Sequence, residues 1–178
     1  MFPEPVYGSE TRRITALAFL AAVGIALYVL ESIIPLPLPF LKIGLANVSS
    51  LVSLVLFGKG GMFTVVVARI LAGSFLTGSL FTPSFLVGLS AGITSAVTMT
   101  AAHALGPRIF GVTGVSLVGS VTHVLTQLAV VMAMFVRNES LLVLTPVLLT
   151  SALVGGMLVA WLSSRMILIM RKEPRSEA

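Results

Sequence analysis

The sequence predicts an all-α membrane protein, a bundle of six transmembrane helices with both termini in the cytoplasm. Three observations predict this class. The composition is 57% hydrophobic and 10% charged, whereas soluble domains carry about 25% charged residues. The apolar residues gather in six stretches, and all but the short second one are long enough to cross a hydrocarbon core of about 30 Å as helices. The Lys and Arg residues between the stretches fall mostly on one side.

The first three helices are predicted over residues 14–34, 41–57 and 62–80. Prolines within 35–39 end the first helix, because proline lacks a backbone donor and disfavours helix in the residue before it. The second helix carries Lys42, Asn47 and several serines, so we expect neighbouring helices to shield it. A turn at 58–61, Gly-Lys-Gly-Gly, separates it from the third helix, which carries Arg69 in its middle.

The last three helices are predicted over residues 83–105, 115–136 and 144–168. Pro83 opens the first of these, and the sequence Gly-Pro-Arg at 106–108 closes it. The predicted organisation is then a cytoplasmic N-terminal segment, a transmembrane domain and a basic cytoplasmic tail, at 1–13, 14–170 and 171–178.

The positive charges predict the orientation. Apart from Arg69, eight Lys and Arg residues fall on the side of the N-terminus: Arg12, Arg13, Lys59, Arg108, Arg165, Arg171, Lys172 and Arg175. Two, Lys42 and Arg137, fall on the other side. This bias places both termini inside a multi-pass protein of the cell membrane. It also accounts for the net charge of +5 better than a nucleic-acid partner does.

Polar side chains inside the predicted spans are the candidate functional residues, because an unpaired charge in the bilayer core costs about 3 kcal/mol or more. Five lie in the outer half or near the midplane: Glu31, Asn47, Arg69, His123 and Gln127. They predict a solute pocket open to the outside, in which the planar guanidinium of Arg69 suits a carboxylate or phosphate.

The alternative is that these groups neutralise one another. Glu31 would then pair with Arg69 or Lys42, and the amides would hydrogen-bond between helices. His103 falls at the cytoplasmic end of the fourth predicted helix, where we expect no special role for it.

Small residues form a stripe on the first helix. Ala18, Ala22 and Ala26 recur every four residues, so they share one helix face and allow another helix backbone to approach closely. The chain has no cysteine and no aspartate, and its six acids are all glutamate. We therefore predict no metal site, no cofactor and no catalytic residue.

Five motifs together resemble the Gx transporter family, whose members are also labelled heptaprenyl diphosphate synthase component I. They are Glu31-Ser-Ile-Ile-Pro35-Leu-Pro37, Lys42-Ile-Gly44-Leu-Ala46-Asn47, Arg69-Ile-Leu-Ala-Gly73-Ser, Gly111-Val-Thr-Gly-Val-Ser116-Leu-Val-Gly119 and His123-Val-Leu-Thr-Gln127. The family usually has a His-Asn pair where this chain has His123-Val124, so no polar role is carried over to position 124.

The family looks like the substrate-binding S components of energy-coupling-factor transporters. The resemblance implies a six-helix bundle that captures a vitamin or related micronutrient outside and docks on a transmembrane coupling subunit driven by two ATPases. It also implies that Ala18, Ala22 and Ala26 contact the coupling subunit. In agreement, the chain has no Gly-x-x-x-x-Gly-Lys-Ser/Thr sequence for binding ATP itself.

The second label implies a subunit of a polyprenyl diphosphate synthase. Ionising a prenyl diphosphate requires clustered carboxylates that hold Mg²⁺ against the substrate. This chain has Glu31 as the one acid inside a predicted span, so a catalytic role is not expected. A non-catalytic subunit that holds an isoprenoid tail in an apolar groove remains the alternative.

Overall fold

The structure, a computed structural model, describes residues 10–34, 44–106, 109–134 and 143–172, and within these ranges it contains helices and no strand. The helices are α1 (Glu10–Ile33), α2 (Asn47–Leu76), α3 (Pro83–Ala104), α4 (Val112–Met134) and α5 (Thr145–Lys172). All five are long and apolar enough to cross a membrane. The predicted class, an all-α protein of the membrane type, is confirmed.

The predicted second and third spans form one interrupted helix, α2. Helical geometry breaks at Gly58, where φ is +74° and ψ is −170°, a conformation that glycine adopts without steric cost. Arg69 Nη2 donates to Asn47 Oδ1 at 2.6 Å although 22 residues separate the two. On a straight helix they would lie about 33 Å apart. The two halves of α2 therefore fold back on each other at the glycine-rich turn.

The prediction of six spanning helices is not confirmed, because the described ranges hold five helices of that length. The count is lower than predicted because the predicted second and third spans are joined in one interrupted helix, α2. Residues 47–57 form about 16 Å of helix, too short to cross a core of about 30 Å. The cytoplasmic location of both termini remains a prediction. The prolines at 35–39, Lys42, Arg137 and the tail beyond 172 lie outside the described residues.

The first half of α2 forms the centre of the bundle. Its residues from Asn47 to Leu54 are all buried, and Ser49, Ser50 and Ser53 have no exposed surface. Around it, α2 packs against α1, α3 and α5, while α4 packs between α3 and α5. A helix that is buried on every side is a core element, so the expectation that neighbours shield this segment is confirmed.

Glycine permits the close approach of α1 to both halves of α2. A side chain at Gly24 of α1 would collide with Ser49 of the first half and would lie 3.2 Å from Arg69 Cδ of the second half. This contact holds α1 against the central helix and sets the position of the residues one and two turns later, Tyr28 and Glu31.

Candidate solute-binding site

A small cavity lies where α1, α2, α3 and α4 meet. It is lined by Tyr28, Glu31, Gly44, Arg69, Ile70, Gly88 and His123. About 10 Å³ of it is open to the centres of water molecules, which is room for about one water. Three of the five predicted site residues, Glu31, Arg69 and His123, thus face one space, and the other two contact them.

The buried face of α1 places Glu31 at the cavity. Leu20, Gly24, Tyr28 and Glu31 are spaced three or four residues apart and are all buried, so they lie on one face of the helix. Glu31 Oε1 accepts a hydrogen bond of 2.6 Å from the backbone N–H of Leu45. The carboxylate therefore fixes the chain where it enters α2.

Gly44 brings this entry segment close to the site. Its φ is +90°, a value that favours glycine, and a Cβ there would lie 3.1 Å from Asn47 Nδ2 and 3.9 Å from His123 Cδ2. A side chain at this position would crowd the amide of Asn47. The glycine therefore lets α2 begin directly beside the cavity.

Arg69 and Asn47 supply hydrogen-bond donors. Each side chain is 3% exposed, and they are joined by the bond from Arg69 Nη2 to Asn47 Oδ1. Arg69 Nε and Asn47 Nδ2 are buried and have no hydrogen-bond partner among the described residues. A buried donor left unsatisfied costs about 1–3 kcal/mol, so these two atoms indicate a place for an acceptor that the described residues do not provide.

His123 and Gln127 act as a pair on α4. They lie four residues apart, and Gln127 Nε2 is 3.1 Å from His123 Nε2. The direction of this hydrogen bond depends on the tautomer of the His123 ring. Gln127 is fully buried and orients the imidazole rather than lining the cavity.

Sequence reasoning did not predict Tyr28, Gly44 or Gly88 as site residues. Tyr28 lines the cavity beside Glu31, and its hydroxyl lies 2.8 Å from Ser74 Oγ. Its position three residues before Glu31, on the same helix face, is a signal that could have identified it. His103 lies at the other end of α3 from Gly88 and does not line the cavity.

The small-residue stripe of α1 lies on the outer surface. Ala18, Ala22 and Ala26 are exposed, on the face opposite the buried one. An open apolar groove of about 560 Å³ runs beside them, lined by Ala22, Ile25, Ala26, Val29, Leu30, Ile33 and Leu76. Two of the three predicted docking alanines therefore line one continuous groove.

Comparison with known proteins gives one family. The family model described as heptaprenyl diphosphate synthase component I matches residues 20–166, which include part or all of each of the five helices and all five predicted site residues. No curated protein and no solved structure matches the chain significantly. Within the ranges that the structure describes, no group of three or more His, Cys, Asp or Glu side chains could hold a metal ion.

Proposed function

This chain belongs to the heptaprenyl diphosphate synthase component I family, and we propose that it is the membrane-embedded substrate-binding component of an energy-coupling-factor-type uptake transporter. It captures a small micronutrient through Glu31, Asn47, Arg69 and His123, and Gln127 orients the His123 ring. It performs no catalysis, and ATP hydrolysis takes place on partner subunits.

One observation carries this proposal. Arg69 Nε and Asn47 Nδ2 are buried donors without a partner among the described residues, and Arg69 faces a small cavity. A protein that used these residues only to hold its helices together would gain stability by satisfying them. Unsatisfied donors beside a cavity are typical of a binding site, where a ligand with an acceptor, for example an anionic group, completes the hydrogen bonds.

In the proposed mechanism, the structure corresponds to a closed state. Space for about one water does not accommodate a vitamin, so binding requires the surrounding helices to move apart. In the proposed mechanism the solute enters from outside, the bundle closes over it, and the closed form docks on a transmembrane coupling subunit with two ATPases.

The first experiment identifies what the protein holds. We would purify it in mild detergent, denature it and analyse the released small molecules by mass spectrometry. A water-soluble micronutrient, present in amounts close to that of the protein, supports the transport function. A preparation that releases no small molecule above the level of an unrelated membrane protein would contradict it.

A second candidate function is favoured by the groove on α1. Its seven lining residues are all apolar, and such a surface suits an isoprenoid tail. The family description names a component of a heptaprenyl diphosphate synthase, and in this alternative the chain is a non-catalytic membrane subunit of such an enzyme. Release of a polyprenyl diphosphate in the same experiment would support this function instead.

Replacing Ala22 with leucine is expected to weaken docking of the coupling subunit. Ala22 is exposed and lines the groove, so a leucine there would occupy the space that a partner helix needs. We expect a severalfold lower yield of the coupling subunit in a pull-down, with solute retention unchanged. Ala21→Leu, on the neighbouring face, is the matched control. Loss of solute with an intact pull-down would refute the assignment of this face.

Replacing Gly88 with alanine is expected to lower solute retention without unfolding the protein. An added Cβ would have one neighbour within 4 Å, Tyr28 Oη at 3.8 Å, which is an ordinary contact. The methyl group would occupy part of the cavity, and alanine favours the helix by about 1 kcal/mol. Equilibrium binding of the identified solute measures the effect. Gly60→Ala, where nothing lies within 4 Å, is the control. Unchanged affinity in Gly88→Ala would exclude the cavity as the site.

A further inference from the structure

We propose that the C-terminal part of α5 holds an anionic phospholipid: Arg165 binds the phosphate of the headgroup, and Trp161 lies against the lipid beside it. This site is separate from the solute cavity, and the inference does not depend on the proposed transport function. It rests on the exposed face of α5, which the transport function does not use.

One stripe of α5 is exposed. Its members follow one another at intervals of three or four residues, so they share a helix face: Val154, Leu158, Trp161, Arg165 and Leu168. The other side of the helix packs on the bundle, where Ser163 is 0% and Ile167 is 6% exposed. Because α5 is long and apolar enough to cross a membrane, we infer that the exposed stripe faces lipid.

Arg165 is the charged member of this stripe. Exposed apolar side chains lie on both sides of it, with Trp161 58% exposed one turn before it and Leu168 57% exposed one turn after it. The helix ends at Lys172, about 10 Å further along its axis. A guanidinium among lipid-facing side chains is unfavourable without an anion, and the phosphate of a lipid headgroup is the anion that the membrane itself supplies.

The guanidinium of Arg165 lies over the ring of Trp161. Arg165 Cζ is 5.9 Å from the ring centroid, within the range of a cation–π interaction. This contact is compatible with donation to a phosphate, because the N–H groups lie in the plane of the guanidinium and suit phosphate oxygens bidentately. Tryptophan is enriched at the level of the headgroups, so the pair presents a cation and an apolar ring at the depth where a lipid carries its phosphate.

The charge of α5 favours an anionic lipid over a zwitterionic one. The helix contains Arg165, Arg171 and Lys172 and no acidic residue, so its C-terminal part is positively charged. A zwitterionic headgroup brings a cation of its own, which these residues repel, whereas an anionic headgroup brings a net negative charge. The geometry therefore points to a lipid such as phosphatidylglycerol.

The test identifies the lipid beside Trp161, which is the only tryptophan in the chain. The protein is reconstituted into vesicles of phosphatidylcholine with a minor share of phosphatidylglycerol, and an equal amount of one lipid or the other carries bromine on its acyl chains. Bromine quenches tryptophan fluorescence only at short range, so the ratio of the two quenching levels reports which lipid is enriched at the site.

We expect phosphatidylglycerol to be enriched about fivefold beside Trp161, as an attraction of about 1 kcal/mol for one arginine would give. Equal quenching by the two labelled lipids would overturn the inference. Absence of quenching by either would overturn it as well, because the exposed stripe would then not face lipid.

Two variants assign the effect to Arg165. Arg165→Gln should lower the quenching ratio to about one, whereas Arg171→Gln, the matched control on the same helix, should leave most of the enrichment. Both side chains are exposed, so neither change disturbs the core, and taking the ratio within each variant cancels any change in the emission of Trp161 itself. An equal decrease in the two variants would show a general attraction to the basic end of α5 and would refute the site.

Discussion

Replacing Arg69 with alanine is expected to abolish solute retention and to destabilise the fold by about 3 kcal/mol. The guanidinium is the centre of the site: it faces the cavity, holds Asn47 Oδ1 at 2.6 Å and compensates the buried charge of Glu31. Alanine removes the proposed contact to the ligand, frees the start of α2 and leaves a carboxylate buried without this compensation.

A double variant separates the two effects. In Arg69→Gln combined with Glu31→Gln, neither buried charge remains, so most of the lost stability should return while the solute is still not retained. Stability is read from thermal unfolding in detergent, and retention from mass spectrometry of the released solute. A folded Arg69→Ala protein that still holds its solute would show that the site lies elsewhere.

The sequence was sufficient to predict the class of the fold and the grouping of the polar residues. The class follows from composition, because 10% charged residues, against about 25% in soluble domains, favour a protein of the membrane. The grouping follows from the free energy that is lost when an ionisable group is buried without a partner. In a bundle, the partners lie on neighbouring helices. Glu31, Arg69 and His123 do line one cavity.

The interrupted helix could not be predicted from periodicity. The turn at 58–61 was expected from its glycines, and the structure breaks helical geometry there at one residue, Gly58. Composition does not tell whether a glycine-rich turn separates two full spans or folds a short helix back onto its neighbour. That outcome depends on tertiary packing, here on the bond between Asn47 and Arg69.

The size and lining of the cavity also lay beyond the sequence. Gly44 and Gly88 line it because they lack side chains, and nothing in the local sequence distinguishes them from the packing glycines of α2 and α3. The position of Gln127 relative to the cavity could not be predicted for a similar reason. Its spacing from His123 predicts a shared helix face, but which of the two side chains reaches the cavity depends on the rotation of α4.

Replacing Gly73 with alanine is expected to destabilise the protein by about 1–3 kcal/mol. A Cβ at Gly73 would lie 2.5 Å from Tyr28 Cδ1 and 2.8 Å from Tyr28 Cγ. The ring cannot move aside as a flexible side chain would, because it is rigid and its hydroxyl is held 2.8 Å from Ser74 Oγ. α1 must therefore shift away from α2, and the shift also displaces Glu31 from the cavity. The gain in helix propensity, about 1 kcal/mol, offsets only part of this cost.

Gly88→Ala is the matched control, since it introduces the same methyl group beside the same tyrosine at 3.8 Å. Thermal unfolding in detergent should show that Gly88→Ala is more stable than Gly73→Ala. The stability of Gly88→Ala should be close to that of the wild type. If the steric account is right, Tyr28→Ala should reduce stability less in the Gly73→Ala background than in the wild type. In that background, removal of the ring also removes its clash with the new methyl group. Equal costs in the two backgrounds would mean that α1 and α2 do not depend on this glycine for their close approach. In that case, the shape of the cavity would depend on Gly24 and on the first half of α2 alone.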